Sequence, residues 1–227
     1  MIKPYYETEN GKLYHGDCLD IMREMDDNSV DLVLTDPPYG LGSTNFVTAR
    51  RKKRPDKKWN NKIPEREYFE QIYRVSINQI IWGCNYFGEY IKNVGRIVHY
   101  KEMTSHNGPL KLSDCDLASQ SYDRRIHYYH YQWSGNVQGG TINWKNIGPD
   151  ARVHPTQKPI SLMVWSLLKF TKESDIICDC YFGSGTIAVA CERLNRRWIG
   201  IEISKEYCDI AVERIKREVA QLKLELT

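Results

Sequence analysis

The sequence lacks the features that mark secreted, membrane-spanning and zinc-binding chains. Its seven cysteines form no CxxC pair, which argues against a zinc ribbon and against a secreted disulfide framework. No apolar run approaches the ~20 residues of a membrane helix, and the start, MIKPYYETENGK, has no apolar signal-peptide core. His127 and His130 have no matching Cys or acidic pair, so two half-exposed histidines are favoured over a metal site. These absences predict a cytoplasmic chain without a membrane partner or a metal.

The charge of the chain is small in total and uneven in distribution. The net charge is +3 over 227 residues, but residues 50–58, RRKKRPDKK, carry +6, which leaves −3 for the rest. Such a run is usually a solvated loop. This one follows shortly after a Pro-Pro corner, which favours a polyanion near that corner.

Strand-like and helix-like segments alternate along the chain. Apolar runs predict strands at 12–16, 29–36, 79–87 (breaking at Gly83), 174–180 and 198–204. Apolar residues at helical spacing predict helices at 18–25, 64–76, 159–171 and after Ser204. The connections are long enough for parallel crossovers, so we expect an α/β fold with a doubly wound, mainly parallel sheet. Residues 99–150 have poor periodicity and predict an inserted recognition region within a single domain, 1–227.

The stretch LTDPPYG, residues 34–40, forms a rigid corner after an apolar strand. Pro37 and Pro38 donate no hydrogen bonds and stop the strand, and Asp36 before them is held extended. In open α/β sheets, ligands bind at the carboxyl ends of strands. We therefore expect Asp36 and Tyr39 to face a ligand.

A glycine-rich turn follows the predicted strand 174–180. Gly183, Ser184 and Gly185 lead into a helix and offer a ligand close approach to the backbone and to helix amides. Glu202 comes roughly twenty residues later, where an acidic residue reaches ribose hydroxyls in nucleotide-binding folds. The dinucleotide fingerprint GxGxxG is incomplete because Ala188 takes its third position. The pattern predicts an adenosine-bearing cofactor and disfavours an oxidoreductase.

Three motifs together resemble a known family of enzymes. DPPY at 36–39, HPTQKP at 154–159 and Asp179 before GSGT, in this order, are similar to the permuted β class of DNA amino-methyltransferases. The resemblance implies a Rossmann-like S-adenosylmethionine-dependent methyltransferase fold with a circularly permuted motif order. It implies N6-adenine methylation of double-stranded DNA by base flipping, with S-adenosyl-L-methionine as cofactor. A homodimer and a cognate restriction endonuclease are further partners that the resemblance suggests.

The resemblance also assigns residues to roles. The catalytic set comprises Asp36, Pro37, Pro38 and Tyr39, and Asn85 of WGCNYF is expected near the site. The cofactor set comprises Asp17, Cys18, Thr156, Lys158, Asp179, Tyr181, Gly183, Ser184, Gly185, Thr186 and Glu202. Within it, Asp17 is expected near the adenine, Glu202 on the ribose, and Thr156 and Lys158 toward the methionine carboxylate. The DNA-binding set comprises Arg50, Arg51, Lys52, Lys53, Arg54, Lys57, Lys58, Arg124 and Arg125. The chain departs from the usual Asp-Pro-Phe of the family with Asp179-Cys180-Tyr181.

The chemistry of the exocyclic amine explains the corner. The amine is a poor nucleophile, so its two N–H groups need acceptors, for which we expect the Asp36 carboxylate and the Pro37 carbonyl. Tyr39 is expected to stack on the flipped base, an interaction worth ~1–3 kcal/mol per base. The run RRIHYYHYQW, residues 124–133, is interpreted either as base readout or as an ordinary β-rich insert.

Other functions remain open at the level of sequence. N4-cytosine enzymes of this kind more often carry Ser at the position of Asp36, and RNA or protein-glutamine methylators more often carry Asn. The first comparison favours adenine over cytosine, and the second favours DNA over RNA or protein. A non-catalytic DNA-binding relative is a further alternative, against which the intact Asp36, Gly183, Gly185 and Glu202 argue.

Overall fold

A computed structural model describes residues 2–41, 62–102, 113–134, 137–139, 141–142 and 157–225. Within these ranges the strands are β1 (Tyr6–Glu7), β2 (Gly11–His15), β3 (Val30–Thr35), β4 (Ser76–Trp82), β5 (Gly95–Tyr100), β6 (Cys115–Gln120), β7 (Ile126–His130), β8 (Trp133–Ser134), β9 (Val137–Gln138), β10 (Thr141–Ile142), β11 (Ile176–Asp179) and β12 (Arg197–Glu202). The helices are α1 (Cys18–Arg23), α2 (Arg66–Val75), α3 (Cys84–Phe87), α4 (Ile160–Phe170), α5 (Thr186–Arg193) and α6 (Lys205–Glu225).

Nine of the described strands form one sheet, in the order β1-β2-β12-β11-β3-β4-β6-β5-β7. Its centre, from β2 to β4, is parallel throughout, so the carboxyl ends of five strands meet at one edge. Alternate strand residues point to opposite faces. Leu32 and Leu34 pack with α4, α5 and α6, whereas Val33 packs with α1, α2 and α3. The predicted doubly wound α/β fold is confirmed.

The order of the sheet reverses between β3 and β11. From β3 the chain crosses through α2 to β4 on one side, and from β11 it crosses through α5 to β12 on the other. A reversal of this kind leaves a crevice outside the carboxyl ends of the two strands, where ligands of open α/β sheets bind. Asp36 follows β3 directly, and Asp179 ends β11.

The region 99–150 continues the main sheet in its first half. β6 pairs antiparallel with β4 and β5, and β7 pairs parallel with β5 at the edge. Because Ala118 lies opposite Trp82, the last residue of β4, the residues before Ala118 extend beyond the carboxyl edge of the parallel strands. Strands β8–β10 form a separate three-stranded sheet of two-residue strands. The recognition role of this region stays a prediction.

Most sequence-predicted elements appear within a few residues of their expected bounds. The predicted strand 79–87 differs, since β4 ends at Trp82 and one turn of helix, α3, follows. Gly83 makes this change possible, because its φ of 74° is a left-handed conformation that favours glycine. The chain therefore leaves the sheet at Gly83.

Candidate active site

A cavity of about 460 Å³ lies at the carboxyl edge of the sheet, where β3 and β11 end. This volume is in the range of small-molecule sites in proteins. The sequence-predicted residues that line it are Asp17, Cys18, Asp36, Pro38, Lys158, Asp179, Tyr181, Gly183, Ser184, Thr186 and Glu202. Pro37, Tyr39 and Gly185 are not among the lining residues, and Thr156 lies outside the described part of the chain. The structure thus gathers most of the predicted cofactor residues around one space.

The turn between β11 and α5 forms one wall of this cavity. Gly183 and Gly185 have φ angles of 54° and 76°, which a larger residue adopts only with strain. The Glu202 carboxylate accepts hydrogen bonds from the backbone N–H groups of Gly183 and Ser204, each at 2.7 Å. Because a carboxylate oxygen can accept more than one hydrogen bond, Glu202 can also accept a ligand hydroxyl. Burial raises the pKa of Glu202 above its ordinary value.

Helix α6 braces the same turn from outside the cavity. One guanidinium nitrogen of Arg214 donates to the carbonyl of Ser184 at 2.6 Å and to its hydroxyl at 2.9 Å. The same nitrogen lies 3.3 Å from the hydroxyl of Thr186. The turn is therefore held by a charged side chain as well as by its own backbone.

The start of α1 forms the opposite wall. Asp17 caps the helix, since its carboxylate accepts the N–H of Leu19 at 2.8 Å. Its other oxygen accepts the hydroxyl of Tyr68, a residue of α2, at 3.1 Å. Burial raises the pKa of the neighbouring Cys18 to about 12, so this cysteine is a neutral thiol near pH 7. Cys18 can therefore line the cavity as an apolar group but cannot act as a thiolate there.

Asp179 is a buried carboxyl at the centre of the site. It accepts the hydroxyl of Thr35 at 2.8 Å and the backbone N–H of Tyr181 at 3.1 Å. Burial raises its pKa to about 7, even though both of these hydrogen bonds favour the charged form. The bond to Thr35 also ties the ends of β3 and β11 together across the reversal of the sheet.

Asp36 is held by two donors that are distant in sequence from each other. The hydroxyl of Tyr39 donates to one carboxylate oxygen, and the Lys158 ammonium donates to the other at 2.8 Å. The same ammonium lies 3.1 Å from the Tyr39 hydroxyl oxygen. Lys158 was expected near a methionine carboxylate, but in the structure its partner is Asp36. The two motifs DPPY and HPTQKP thus meet in one hydrogen-bonded group.

The ring of Tyr39 packs against α3. It stacks on Tyr86 with ring centroids 4.7 Å apart and meets Phe87 edge-on. Burial raises the pKa of Tyr39 well above its ordinary value, so its hydroxyl stays protonated and donates to Asp36. One ring face is therefore covered by Tyr86, and stacking of a flipped base on Tyr39 stays a prediction. Tyr86 itself is exposed, and so is its neighbour Asn85.

Gly83 makes the packing of Tyr39 possible. A Cβ atom at this position would lie 2.1 Å from Cε1 of the Tyr39 ring. We expect Gly83→Ala to displace the ring, weaken the Tyr39–Asp36 hydrogen bond and destabilise the protein by about 1–3 kcal/mol, measured by urea unfolding. Gly88→Ala is the matched control, because Gly88 also has a positive φ but has no atom within 4 Å of an added Cβ. Equal losses in both variants would contradict a clash with Tyr39.

Several cavity residues were not singled out as ligand-binding by the sequence. Besides Tyr68, they include Ile63, Pro64, Trp82, Gln157, Met163 and Tyr207. Trp82 is buried, and the described residues offer its indole N–H no hydrogen-bond partner. Most of these side chains are apolar or aromatic, so their pattern does not distinguish core from cavity wall.

The predicted DNA-binding residues fall into two groups. Arg50, Arg51, Lys52, Lys53, Arg54, Lys57 and Lys58 lie outside the described residues. Arg124 and Arg125 are exposed in the turn between β6 and β7. This turn lies beside the first residues of β5, whereas Lys101 follows the last one. Arg125 forms an ion pair with Asp123. The structure does not bring these two arginines to the cavity, and their role stays a prediction.

Strand β7, within the aromatic run 124–133, has one face that packs on α4 and one face that is exposed. Tyr129 packs against Trp165, and His127 against Phe170, both residues of α4. Ile126 and Tyr128 point outward and are exposed. The packing of His127 and Tyr129 on α4 favours the interpretation of this face as part of an ordinary β-rich insert rather than as a base-reading surface. His127 lies beside Asp123, and His130 beside Glu102; the described residues contain no group of three or more metal-binding side chains.

The fold and the cavity define an α/β protein with a site of small-molecule size at the carboxyl edge of its sheet. The chain belongs to the family described as DNA methylase (N6_N4_Mtase), whose sequence profile matches residues 77–213, more than half of the chain. The matched range contains Lys158, the glycine turn and Glu202 and begins after the DPPY corner. The predicted DNA methyltransferase class is confirmed at the level of this family.

Similar proteins extend over nearly the whole chain. The chain is 29% identical to "Type II methyltransferase M2.LlaDCHI" of Lactococcus lactis subsp. cremoris, covering 96% of this chain and 93% of that protein. It is 28% identical to "Type II methyltransferase M2.MboI" of Moraxella bovis, covering 99% and 95%. Both relatives are thus matched from end to end rather than over one shared motif.

Solved structures share the fold at lower sequence identity. "PvuII DNA methyltransferase (cytosine-N4-specific)" superposes with a TM-score of 0.63 at 17% identity, covering 93% of this chain and 88% of that one. The M1.HpyAVI–SAM complex gives a TM-score of 0.59 at 20% identity, covering 90% and 98%. The putative DNA modification methylase TTHA0409 of Thermus thermophilus, complexed with S-adenosyl-L-methionine, gives 0.57 at 16%, covering 92% and 96%. Within the described residues, no helix has the length and apolar character to cross a membrane.

Proposed function

We propose that this protein transfers a methyl group from S-adenosyl-L-methionine to the exocyclic N6 of adenine in double-stranded DNA. The observation that carries the proposal is the position of Asp36. Its carboxylate lies in the wall of the same cavity as the glycine turn and Glu202. An acceptor for an amine and a site for an adenosine-bearing cofactor are thus combined in one space.

The cavity suits S-adenosylmethionine in both volume and charge. Five side-chain carboxyl groups and two ammonium groups line it, so the acidic groups are in excess and favour a positively charged ligand. The acidic residues are Asp17, Asp36, Glu65, Asp179 and Glu202, and the basic ones are Lys62 and Lys158. Glu202 would accept the ribose hydroxyls, and Asp17 would lie at the adenine end. The bound cofactor supplies an electrophilic methyl group on a sulfonium. Two of the solved structures that share the fold, those of M1.HpyAVI and TTHA0409, are complexes with S-adenosylmethionine and support the assignment.

The corner supplies what the target amine needs. Asp36 accepts one N–H of the amine and the Pro37 carbonyl accepts the other, so the nitrogen lone pair is directed at the methyl group. Tyr39 and Lys158 fix the Asp36 carboxylate before the base arrives, which avoids reorganisation during the reaction. The amino group of a paired base lies inside the duplex, so the base has to be flipped out of the stack. The aspartate at position 36 favours adenine over cytosine, because N4-cytosine enzymes of this kind more often carry serine at the corresponding position.

The relatives support a role in restriction–modification. Those from Lactococcus lactis and Moraxella bovis are named Type II methyltransferases. We propose the same biological role here, with double-stranded DNA as the substrate. A homodimer and a cognate endonuclease stay predictions from the family resemblance.

The deciding experiment identifies the labelled nucleoside. Purified protein is incubated with methyl-tritiated S-adenosylmethionine and either unmethylated genomic DNA or total RNA, and the products are digested and separated. We expect label in N6-methyladenine from DNA. Label in N4-methylcytosine would keep the mechanism and overturn the choice of base, and label in RNA alone would overturn the substrate. Cofactor binding without transfer to either nucleic acid would contradict the proposal and favour a non-catalytic relative.

A further inference from the structure

A row of four alternating charges runs from the corner into the region 99–150. It consists of Asp36, Lys158, Asp116 and Lys101, and we call it the charge row. The Lys158 ammonium lies 2.8 Å from Asp36 and 4.0 Å from Asp116. On its far side, Asp116 accepts a hydrogen bond from Lys101 at 2.9 Å. Two carboxylates and two ammonium groups balance one another along this row.

Burial makes the balance of the charge row important. The Lys158 side chain is only 9% exposed, and an ammonium in such a place is stable only when it is paired. Burial alone would lower the pKa of Lys158, but the neighbouring Asp36, Tyr39 and Asp116 raise it well above its ordinary value. Burial would likewise raise the pKa of Asp116, and Lys158, His99 and Lys101 lower it strongly instead. Lys158 and Asp116 therefore stabilise each other's charged forms.

Asp116 does not line the cavity and therefore acts on it only through a neighbour. It lies on β6, two residues before Ala118, which is opposite the end of β4. The ring of His99 on β5 packs beside it, with Nδ1 3.6 Å from the carboxylate and Nε2 3.1 Å from the carbonyl of Tyr131. The position of Asp116 is thus fixed by two strands and by Lys101.

We propose that Asp116 is a positioning residue for methyl transfer, which holds the Lys158 ammonium against the acceptor carboxylate of Asp36. This inference rests on the proposed function, because it assigns Asp36 as the acceptor. Without Asp116, the partners of Lys158 among the described residues are Asp36, Tyr39 and the ring of Trp82. The ammonium is then no longer drawn toward β6 and can change its position relative to Asp36. Asp36 then presents its oxygens in the wrong direction to the target amine. The charge row thereby links the region 99–150 to the catalytic corner.

The first arm of the test measures Lys158 without turnover. Wild type, Asp116→Asn and the matched control Asp114→Asn are treated with trinitrobenzenesulfonate, and the peptide that contains Lys158 is quantified by mass spectrometry. Asp114 is exposed on the same segment and has no side-chain contact with Lys158 among the described residues. If the pKa of Lys158 falls by about one unit in Asp116→Asn, its unprotonated fraction and its labelling rise about tenfold. Unchanged labelling would overturn the proposal.

The second arm measures the reaction. We expect Asp116→Asn to lower kcat about tenfold or more, with the KM for cofactor and DNA near wild type, and Asp116→Glu to restore part of the loss. A kcat equal to wild type, or an equal loss in Asp114→Asn, would also overturn the proposal. If wild type transfers no methyl group to any substrate, the proposed function fails, but the labelling arm still decides whether Asp116 holds Lys158.

Discussion

Replacement of Asp36 by alanine is expected to lower the rate of methyl transfer by about 100- to 1,000-fold or more. The substitution removes the acceptor that is aimed at the amine in the transition state, and loss of one such preorganised group has effects of this size. Asp36→Asn should lose less, because its amide keeps one acceptor oxygen at the same place. Cofactor affinity should fall much less than the rate in either variant, since Glu202 and the glycine turn are untouched and the cavity loses only one of its carboxylates. Single-turnover rates and calorimetric titration of the cofactor separate the two effects.

A control variant distinguishes loss of catalysis from loss of folding. Asp31 lies near the start of the same strand, β3, and its carboxylate accepts the N–H of Ile176 at 2.8 Å, away from the cavity. Asp31→Asn should lower the free energy of unfolding but leave the rate per folded molecule near wild type. An Asp36→Ala protein that binds cofactor and still transfers methyl groups at the wild-type rate would show that Asp36 is not the acceptor.

The main chemistry of the site could be predicted from sequence because it lies at strand ends. Asp36 and Asp179 each follow an apolar run, and parallel strands bring their carboxyl ends to one edge. The glycine turn and Glu202 are predictable for the same reason, since each marks the end of a strand. Local patterns thus indicated the corner, the glycine turn and Glu202, whereas Asp17, Cys18, Lys158 and Asp179 were predicted only from the family resemblance.

The partners of these residues could not be predicted in this way. Lys158 and Asp36 are 122 positions apart, and nothing local shows that the ammonium turns to the corner rather than to a ligand. The stacking of Tyr39 on Tyr86 depends on the helical turn α3 that follows Gly83. The break at Gly83 was predicted, but the helical turn after it was not. Asp116 lies in a segment of weak periodicity, so its burial beside Lys158 had no signal in the sequence. Pairing between distant segments is decided by packing of the whole sheet.

The buried carboxyl of Asp179 gives the cavity a dependence on pH. Its pKa of about 7 means that the free protein carries a neutral Asp179 in much of its population at neutral pH. Thr35 and the N–H of Tyr181 are already placed to accommodate the charged form. A ligand with a permanent positive charge in the cavity favours the ionised form and lowers this pKa. Binding of such a ligand is therefore coupled to release of a proton.

We expect the affinity for S-adenosylmethionine to rise about tenfold between pH 6 and pH 8 because of this coupling. Below about pH 7 the free protein must lose the Asp179 proton before the favoured charge pair forms, so affinity is lower there. Above that pH the carboxylate is already ionised and the affinity becomes constant. The sign follows from the raised pKa in the free protein and a lower one in the complex. Calorimetric titration of the cofactor at several pH values, in buffers of different ionisation enthalpy, measures both affinity and proton release.

Asp179→Asn is the variant that isolates this effect. Its amide is close in shape to the neutral carboxyl and does not titrate, so it removes the part of the pH dependence that comes from Asp179. Its affinity should be lower than that of wild type, and the deficit should be about tenfold larger at pH 8 than at pH 6. Other groups also titrate in this range, since burial raises the pKa of Glu202 as well and the cofactor has ionisable groups of its own. These titrations occur in both proteins and therefore cancel when wild type and Asp179→Asn are compared. If wild type and Asp179→Asn show the same pH dependence, Asp179 does not sense the charge of the ligand. The cofactor's sulfonium would then lie away from the end of β11, nearer the carboxylates of Asp36 or Asp17.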